Sequence, residues 1–299
     1  MANLFSLLVS YEYSNDIKSK SFWIGTIALP IIMIVFGFIV AYLMESSEIM
    51  RSMYGGDHSD TEMSAGQAIG MMSCFMLVVF IMIYGVQIFN KVKTEKTNRI
   101  SEVLVGSVPG RTLMISKVVS VALIGFTQIL AWIAMGVLAF GMFAALLPVS
   151  SIVAALFSPS TLLYLVVAIL YFVGGYLFYG SLYAACGALT DRNNENQSYM
   201  TTITMALMMS MYLGMFATDN CASALAQFCF YLPFTSPAVG GVLGVGGIAP
   251  WWQTVISLVV LYASAFGMMA IAGKIYTSAL LLKGKKLSFK DITTFLKAR

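Results

Sequence analysis

A chain of 299 residues that is 59% hydrophobic and only 10% charged is excluded from the ordinary soluble proteins, which carry about 25% charged residues. The formal net charge of +4 is small and says little about partners, and no nucleic acid is expected among them. Where the charges fall along the chain says more.

The first 21 residues read as an interfacial helix, with Leu4, Phe5, Leu8, Tyr11 and Tyr13 offered to the lipid boundary. Glu12 and Asp16 precede the first apolar run, and that run is longer than a signal peptide's, so a cleaved leader is not expected. Six apolar runs follow, at about 22–44, 68–89, 114–146, 162–189, 200–217 and 251–275. Crossing roughly 30 Å of hydrocarbon as helix takes about 20 such residues. Helices are the expected spanning element because lipid offers no partner to unpaired backbone groups. None of the runs contains Asp, Glu or Arg between its ends. Lys117 and Lys274 sit near ends, where a long stem can carry the ammonium out to the headgroups. A single all-α transmembrane domain over 1–299 is the expectation.

The connections orient it. Every Lys and Arg except Arg51 falls on the side shared by the two termini, and Arg51 lies among Glu45, Glu48, Asp57, Asp60 and Glu62. The positive-inside bias places both termini in the cytoplasm of a cell (inner) membrane. The inner connection 90–112 reads as a short helix, with Ile100, Val103 and Leu104 on one face and Arg99 and Glu102 off it. Pro109-Gly110 breaks it before the third span. Residues 218–250 are apolar but carry Pro233, Pro237 and five glycines, so a continuous span is not expected there. Two short helices that dip into the outer leaflet and return fit better. Cys221 and Cys229 share this segment, which leaves a disulfide open. The tail 276–299 ends in an amphipathic surface helix starting near Ser288, its apolar face formed by Phe289, Ile292, Phe295 and Leu296.

Inside the runs, Tyr171, Phe172, Tyr176, Phe178, Tyr179 and Tyr183 crowd the fourth, and Met205, Met208, Met209, Met211 and Met215 the fifth. Packing against lipid and neighbouring helices accounts for most of them; a pliable apolar path for an amphipathic cargo is the sharper alternative. Gly174 and Gly175 point to a close helix contact, within the chain or across a dimer, and Gln128 can hydrogen-bond between helices. His58, the only histidine, lies in the polar outer loop 45–67, which reads as solvated rather than metal-binding. No run pairs His with Asp, so a hydrolase triad within the membrane is not expected.

Several stretches resemble one family in order along nearly the whole chain. Tyr11-Glu12-Tyr13, then Lys18 to Phe22, Gly25-Thr26 and Pro30, look like its approach to the first span. Lys93 through Leu104 resembles its most recognisable cytoplasmic motif, continued by Ser107-Val108, Lys117, Gln128 and Trp132. Leu170 to Tyr176, Ala185 to Ala188, Leu232-Pro233-Phe234-Thr235-Ser236-Pro237, and Lys274 to Lys286 complete the set. The chain is thus similar to the permease subunits of type-2 ABC exporters, particularly the sodium-efflux (Nat-type) branch. Relatives of that branch often carry a large external domain between the first two spans, where this chain has only 45–67.

The resemblance implies export driven by ATP that a partner hydrolyses. The chain lacks the G-x-x-x-x-G-K-[ST] loop that cradles phosphates, since Gly273-Lys274 and Gly284-Lys285 are followed by Ile275 and Lys286. An ABC ATPase subunit carrying ATP and Mg is therefore the expected partner, with no cofactor and no catalysis on this chain. The resemblance makes Glu95, Lys96, Arg99, Ile100, Glu102, Val103 and Leu104 the expected docking (coupling) helix. It makes a second permease copy or a paralogue the other half of the path, while the proline and glycine of 218–250 would let the outer hairpin act as a lid, with Pro233, Phe234, Ser236 and Pro237 as the outer gate. The alternative, an ion-coupled transporter or channel, needs ionisable groups at depth that the runs lack. The same absence weighs against sodium as cargo and favours a lipid, a peptide or a hydrophobic toxin.

Overall fold

The apolar runs fold as long helices. The computed structural model describes residues 2–20, 22–28, 30–31, 65–97, 109–143, 159–190 and 197–281. In chain order the helices are α1 (Ala2–Ile17), α2 (Ala65–Thr97), α3 (Gly110–Phe143), α4 (Pro159–Leu189), α5 (Gln197–Asp219), α6 (Ala224–Tyr231), α7 (Ser236–Leu243) and α8 (Trp251–Leu281). Residues 22–28 and 30–31 are helical as well, and no strand occurs among the described residues. Five of the helices, α2, α3, α4, α5 and α8, are long and apolar enough to cross a membrane. The expected first span lies largely outside the described residues, as do the outer loop through residue 64 and the tail from 282.

Several boundaries differ from the sequence reading, and two of them have a visible cause. Residues 90–97 do not begin a separate helix but continue α2 to Thr97. Lys91, Lys93, Glu95 and Lys96 are good helix formers, and the ammonium of Lys96 donates to the Ala188 and Thr190 carbonyls at 2.8 and 3.3 Å. That contact also neutralises the negative end of α4. The third span starts at Gly110 rather than 114, because the Pro109 carbonyl accepts from the N–H groups of Thr112 and Leu113 at 2.9 and 3.2 Å.

Helix α4 is the central post, packed most extensively on α2 and α8. Four of its tyrosines turn inward, and each hydroxyl finds a partner on a different element. Tyr176 donates to the Val118 carbonyl of α3 at 2.9 Å, and Tyr183 pairs with Thr204 of α5 at 2.9 Å. Tyr179 donates to the Phe234 carbonyl, and Tyr171 reaches the Thr254 carbonyl of α8 at 3.5 Å. Such rings supply large contact area to helices that hydrophobicity alone cannot hold together in lipid, and a buried hydroxyl left alone would be costly. The fourth run's aromatic crowding is therefore largely internal packing.

The core has two parts. One joins α2, α4, α5, α7 and α8 around Leu77, Ile81, Tyr171, Tyr179, Leu207 and Leu243. The other joins α2, α3, α4 and α8 around Tyr84, Ile88, Met114, Val118, Tyr176 and Tyr276. Helix α1 lies against α3 beside the second part. Of its expected lipid-facing residues, Tyr11 is exposed, whereas Leu8 and Tyr13 turn toward the protein. The Tyr13 hydroxyl pairs with Thr127 at 2.8 Å.

Candidate functional site

Where α2 stops and α3 begins, three helices bring their charges together and a fourth adds a hydroxyl. We call this the basic end. Each of α1, α2 and α3 contributes two polar side chains about one helical turn apart: Glu12 and Asp16, Lys91 and Glu95, Lys117 and Ser120. Such spacing puts both members of a pair on one face, so three faces can meet as charge against charge. Lys117 is the hub. Its ammonium donates to Glu12 Oε1 at 2.9 Å and also pairs with Glu95. Ser120 donates to Glu12 Oε2 at 2.8 Å, Lys91 lies 3.6 Å from the same oxygen, and Lys91 also pairs with Asp16. From α8, the Tyr276 hydroxyl donates to Glu95 Oε2 at 3.0 Å.

The lysine was expected to snorkel, and it does not. The Lys117 side chain is only 3% exposed, because Glu12 and Glu95 supply counter-charge where it stands. Lys274, by contrast, is exposed. Burial alone would push the Glu12 carboxyl up; Lys117, Lys91 and the Ser120 hydroxyl outweigh it and hold the group below the ordinary carboxylate value. Taking charges out of water costs several kcal/mol per ion, and mutual pairing makes that tolerable without making it strongly stabilising. What the junction secures is the relative position of α1, α2, α3 and α8.

The expected docking residues divide at this point. Glu95 and Lys96 are in the last turn of α2, tied within the chain to Lys117 and Tyr276 and to the end of α4. Arg99, Ile100, Glu102, Val103 and Leu104 lie outside the described residues.

At the other end, 218–250 forms two short helices joined by a tight turn. Ser223 caps α6, accepting from the Ala226 N–H at 3.2 Å, and Pro237 sits in the first turn of α7, where its missing N–H leaves no bond unmade. Every residue of α7 is buried, so its backbone must be satisfied by protein. Hydroxyls complete the turn. Thr235 donates to the Cys229 carbonyl at 2.6 Å, and Ser257 of α8 donates to the Phe230 carbonyl at 2.6 Å while lying 3.0 Å from Ser236. Among the expected gate residues, Ser236 and Pro237 are buried, Pro233 is partly buried and Phe234 is half-exposed, its ring set edge-on against Phe178 at 5.0 Å. Cys221 and Cys229 are both free thiols.

Close backbone approach seats α7. A Cβ on Gly70 would stand 2.9 Å from the Gly241 carbonyl, and one on Gly175 would stand 2.7 Å from Pro237. A Cβ on Gly174 would meet Leu261 of α8 at 2.8 Å. Gly174 and Gly175 thus make contacts within the chain, and Gln128 accepts from the Tyr84 hydroxyl. The junction around Lys117 went unnoticed in the sequence because its partners are 105 positions apart. The signal that could have found it was the one-turn pairing of polar side chains on α1, α2 and α3, acidic on the first, mixed on the second and led by a lysine on the third.

Comparison with known proteins agrees with this architecture. Residues 57–274 match the family described as ABC-2 family transporter protein. The chain is 26% identical to the uncharacterized protein YhaP of Bacillus subtilis (strain 168) over 254 residues, covering 83% of this chain and 59% of that protein. It is 26% identical to the uncharacterized protein MJ1024 of Methanocaldococcus jannaschii over 238 residues, covering 79% and 55%. The chain therefore spans between half and two thirds of the length of these relatives. No solved structure matches.

Proposed function

Because the chain belongs to the ABC-2 family of transporters, we propose that this multi-pass membrane protein is the permease of an exporter driven by a separate ATPase subunit. Its motifs align it with the sodium-efflux branch, without that branch's large external domain. Two permease copies, or one copy and a paralogue, would face each other across the path, with both termini cytoplasmic in the inner membrane. ATP and Mg would sit on the ATPase, and segment 95–104 would dock there.

The observation that carries this reading is the ionic junction at the basic end. The last turn of α2 leads directly into the docking segment, and Glu95 in that turn is bonded to Lys117 of α3 and Tyr276 of α8. Through Lys117 it is joined to Glu12 of α1. A push on 95–104 therefore reaches four helices together rather than bending one. ATP drives transport only if it favours one of two such arrangements over the other. Pro233, Phe234, Ser236 and Pro237 would form the outer gate at the far end.

The test is purification of the tagged chain from its native host in mild detergent, with whatever ATPase it retains, and reconstitution in liposomes. Stoichiometric recovery of the ATPase and ATP-dependent export are expected. Arg99→Ala or Glu102→Gln should lower export by roughly 5- to 150-fold, the span of ordinary coupling energies, with membrane insertion unchanged. Full ATP-driven export in both variants would refute the docking assignment; ion movement without any ATPase would refute the exporter reading.

A further inference from the structure

Between α2 and α5, under α7, lies a cavity of about 190 Å³ lined by Met71, Cys74, Phe75, Met211, Met215 and Val242. Four of those six residues carry sulfur. Met71 and Cys74 are one turn apart on α2, and Met211 and Met215 are one turn apart on α5, so each helix aims a pair into the same space. The Cys74 sulfur faces the α5 backbone at Gly214, beside the same groove. A Cβ on Gly214 would stand 3.1 Å from Cys74 Sγ, and Gly214 lies between Met211 and Met215. Met208 continues the α5 stripe three residues before Met211.

We infer that this cavity is a binding site for a soft monovalent cation, Cu(I) above all. Thiolate and thioether ligands select Cu(I) over hard cations such as Na⁺ or Mg²⁺, which demand oxygen. The site needs no Asp, Glu or His, and among the described residues those types form no metal-binding group. One thiolate and one monovalent ion form a neutral unit, which avoids the large cost of leaving a charge in an apolar surround. On binding, the Cys74 Sγ–Cu bond forms, the thiol proton passes to water and the thioethers donate lone pairs. No electron moves, because the ion arrives as Cu(I). Methionine is flexible enough to close a cavity this size around a smaller ion.

Methionines also fill irregular gaps between helices, so the test separates coordination from packing. The full-length chain in detergent is titrated anaerobically with Cu(I) against a chromophoric Cu(I) chelator. About one ion per chain is expected, with a sulfur-only shell in the copper X-ray absorption spectrum of the unmutated protein. Cys74→Ser and the pair Met211→Leu/Met215→Leu should each weaken binding by roughly tenfold or more. The leucines nearly conserve volume, and an unchanged melting temperature confirms folding. Leucine at Met205 and Met209, both exposed, should leave affinity unchanged, as should alanine at Cys186, Cys221 and Cys229. Nitrogen or oxygen ligands in the unmutated protein, or binding that follows the control residues instead, would overturn the assignment. This readout needs neither an ATPase nor transport, so it stands or falls separately from the exporter reading.

Discussion

At the basic end of the bundle the polar groups buried between helices are charges answered by charges: Lys117 against Glu12 and Glu95, Lys91 against Asp16. At the hairpin end they are backbone carbonyls answered by hydroxyls: Ser257 on Phe230, Thr235 on Cys229, Tyr179 on Phe234. The two solutions have different mechanical character. Ion pairs act over a longer range and tolerate some change of distance, so helices joined by them can shift together. Short hydroxyl–carbonyl bonds in a turn packed through glycine and proline depend on close fit, and interfaces of that kind are bistable rather than gradually deformable.

The comparison breaks most severely at the hub. Lys117→Met is expected to destabilise the protein by about 3–5 kcal/mol, because it leaves the carboxylates of Glu12 and Glu95 without their shared partner. The loss should appear as a lowered melting temperature in detergent and as faster amide exchange in α1. A smaller effect, about 1–3 kcal/mol, is expected for Gly240→Ala at the other end. Its Cβ would overlap the ring of Tyr171, which is fully buried and cannot move aside. Exchange should rise in α7 while α1 stays protected. Similar exchange changes at both ends in either variant would show that the regions are not mechanically distinct.

Acid should sharpen the contrast with the smallest effect of the three. The Glu12 carboxyl is held below its ordinary value of 4.5. Above that value the group is ionised whether α1 is docked or not, and its contribution is fully present. As pH falls through the lowered folded-state value, the docked form takes up its proton and the contribution is lost. Acidification should therefore loosen α1 before it affects the hairpin, whose hydroxyl–carbonyl bonds contain no group that titrates there. Equal protection of α1 on both sides of the transition would remove Glu12 from the junction.

Much of this protein was legible in the residues one at a time. The apolar runs gave the presence and order of α2, α3, α4, α5 and α8, though α2 and α8 run on for eight and six residues past the expected ends, since hydrocarbon thickness sets a minimum helix length and leaves the backbone no other choice. Pro233, Pro237 and the glycines around them revealed that 218–250 would break into two short helices, because proline and glycine act locally. The expectation that Lys117 would reach the headgroups failed for the opposite reason. Whether a lysine snorkels or is buried depends on what stands opposite it, and Glu12 and Glu95 arrive there only when α1 and α2 pack on α3.

The sequence by itself thus determined the long apolar helices and the break between the two short ones, which follow from short-range sterics and transfer into lipid. Only the tertiary structure decided that the charges of α1, α2 and α3 form one junction, that Glu95 belongs to it, that α7 nests against Gly70 and Gly175, and that four sulfur side chains share a cavity. Those depend on distances between residues far apart in the chain, which no local pattern encodes.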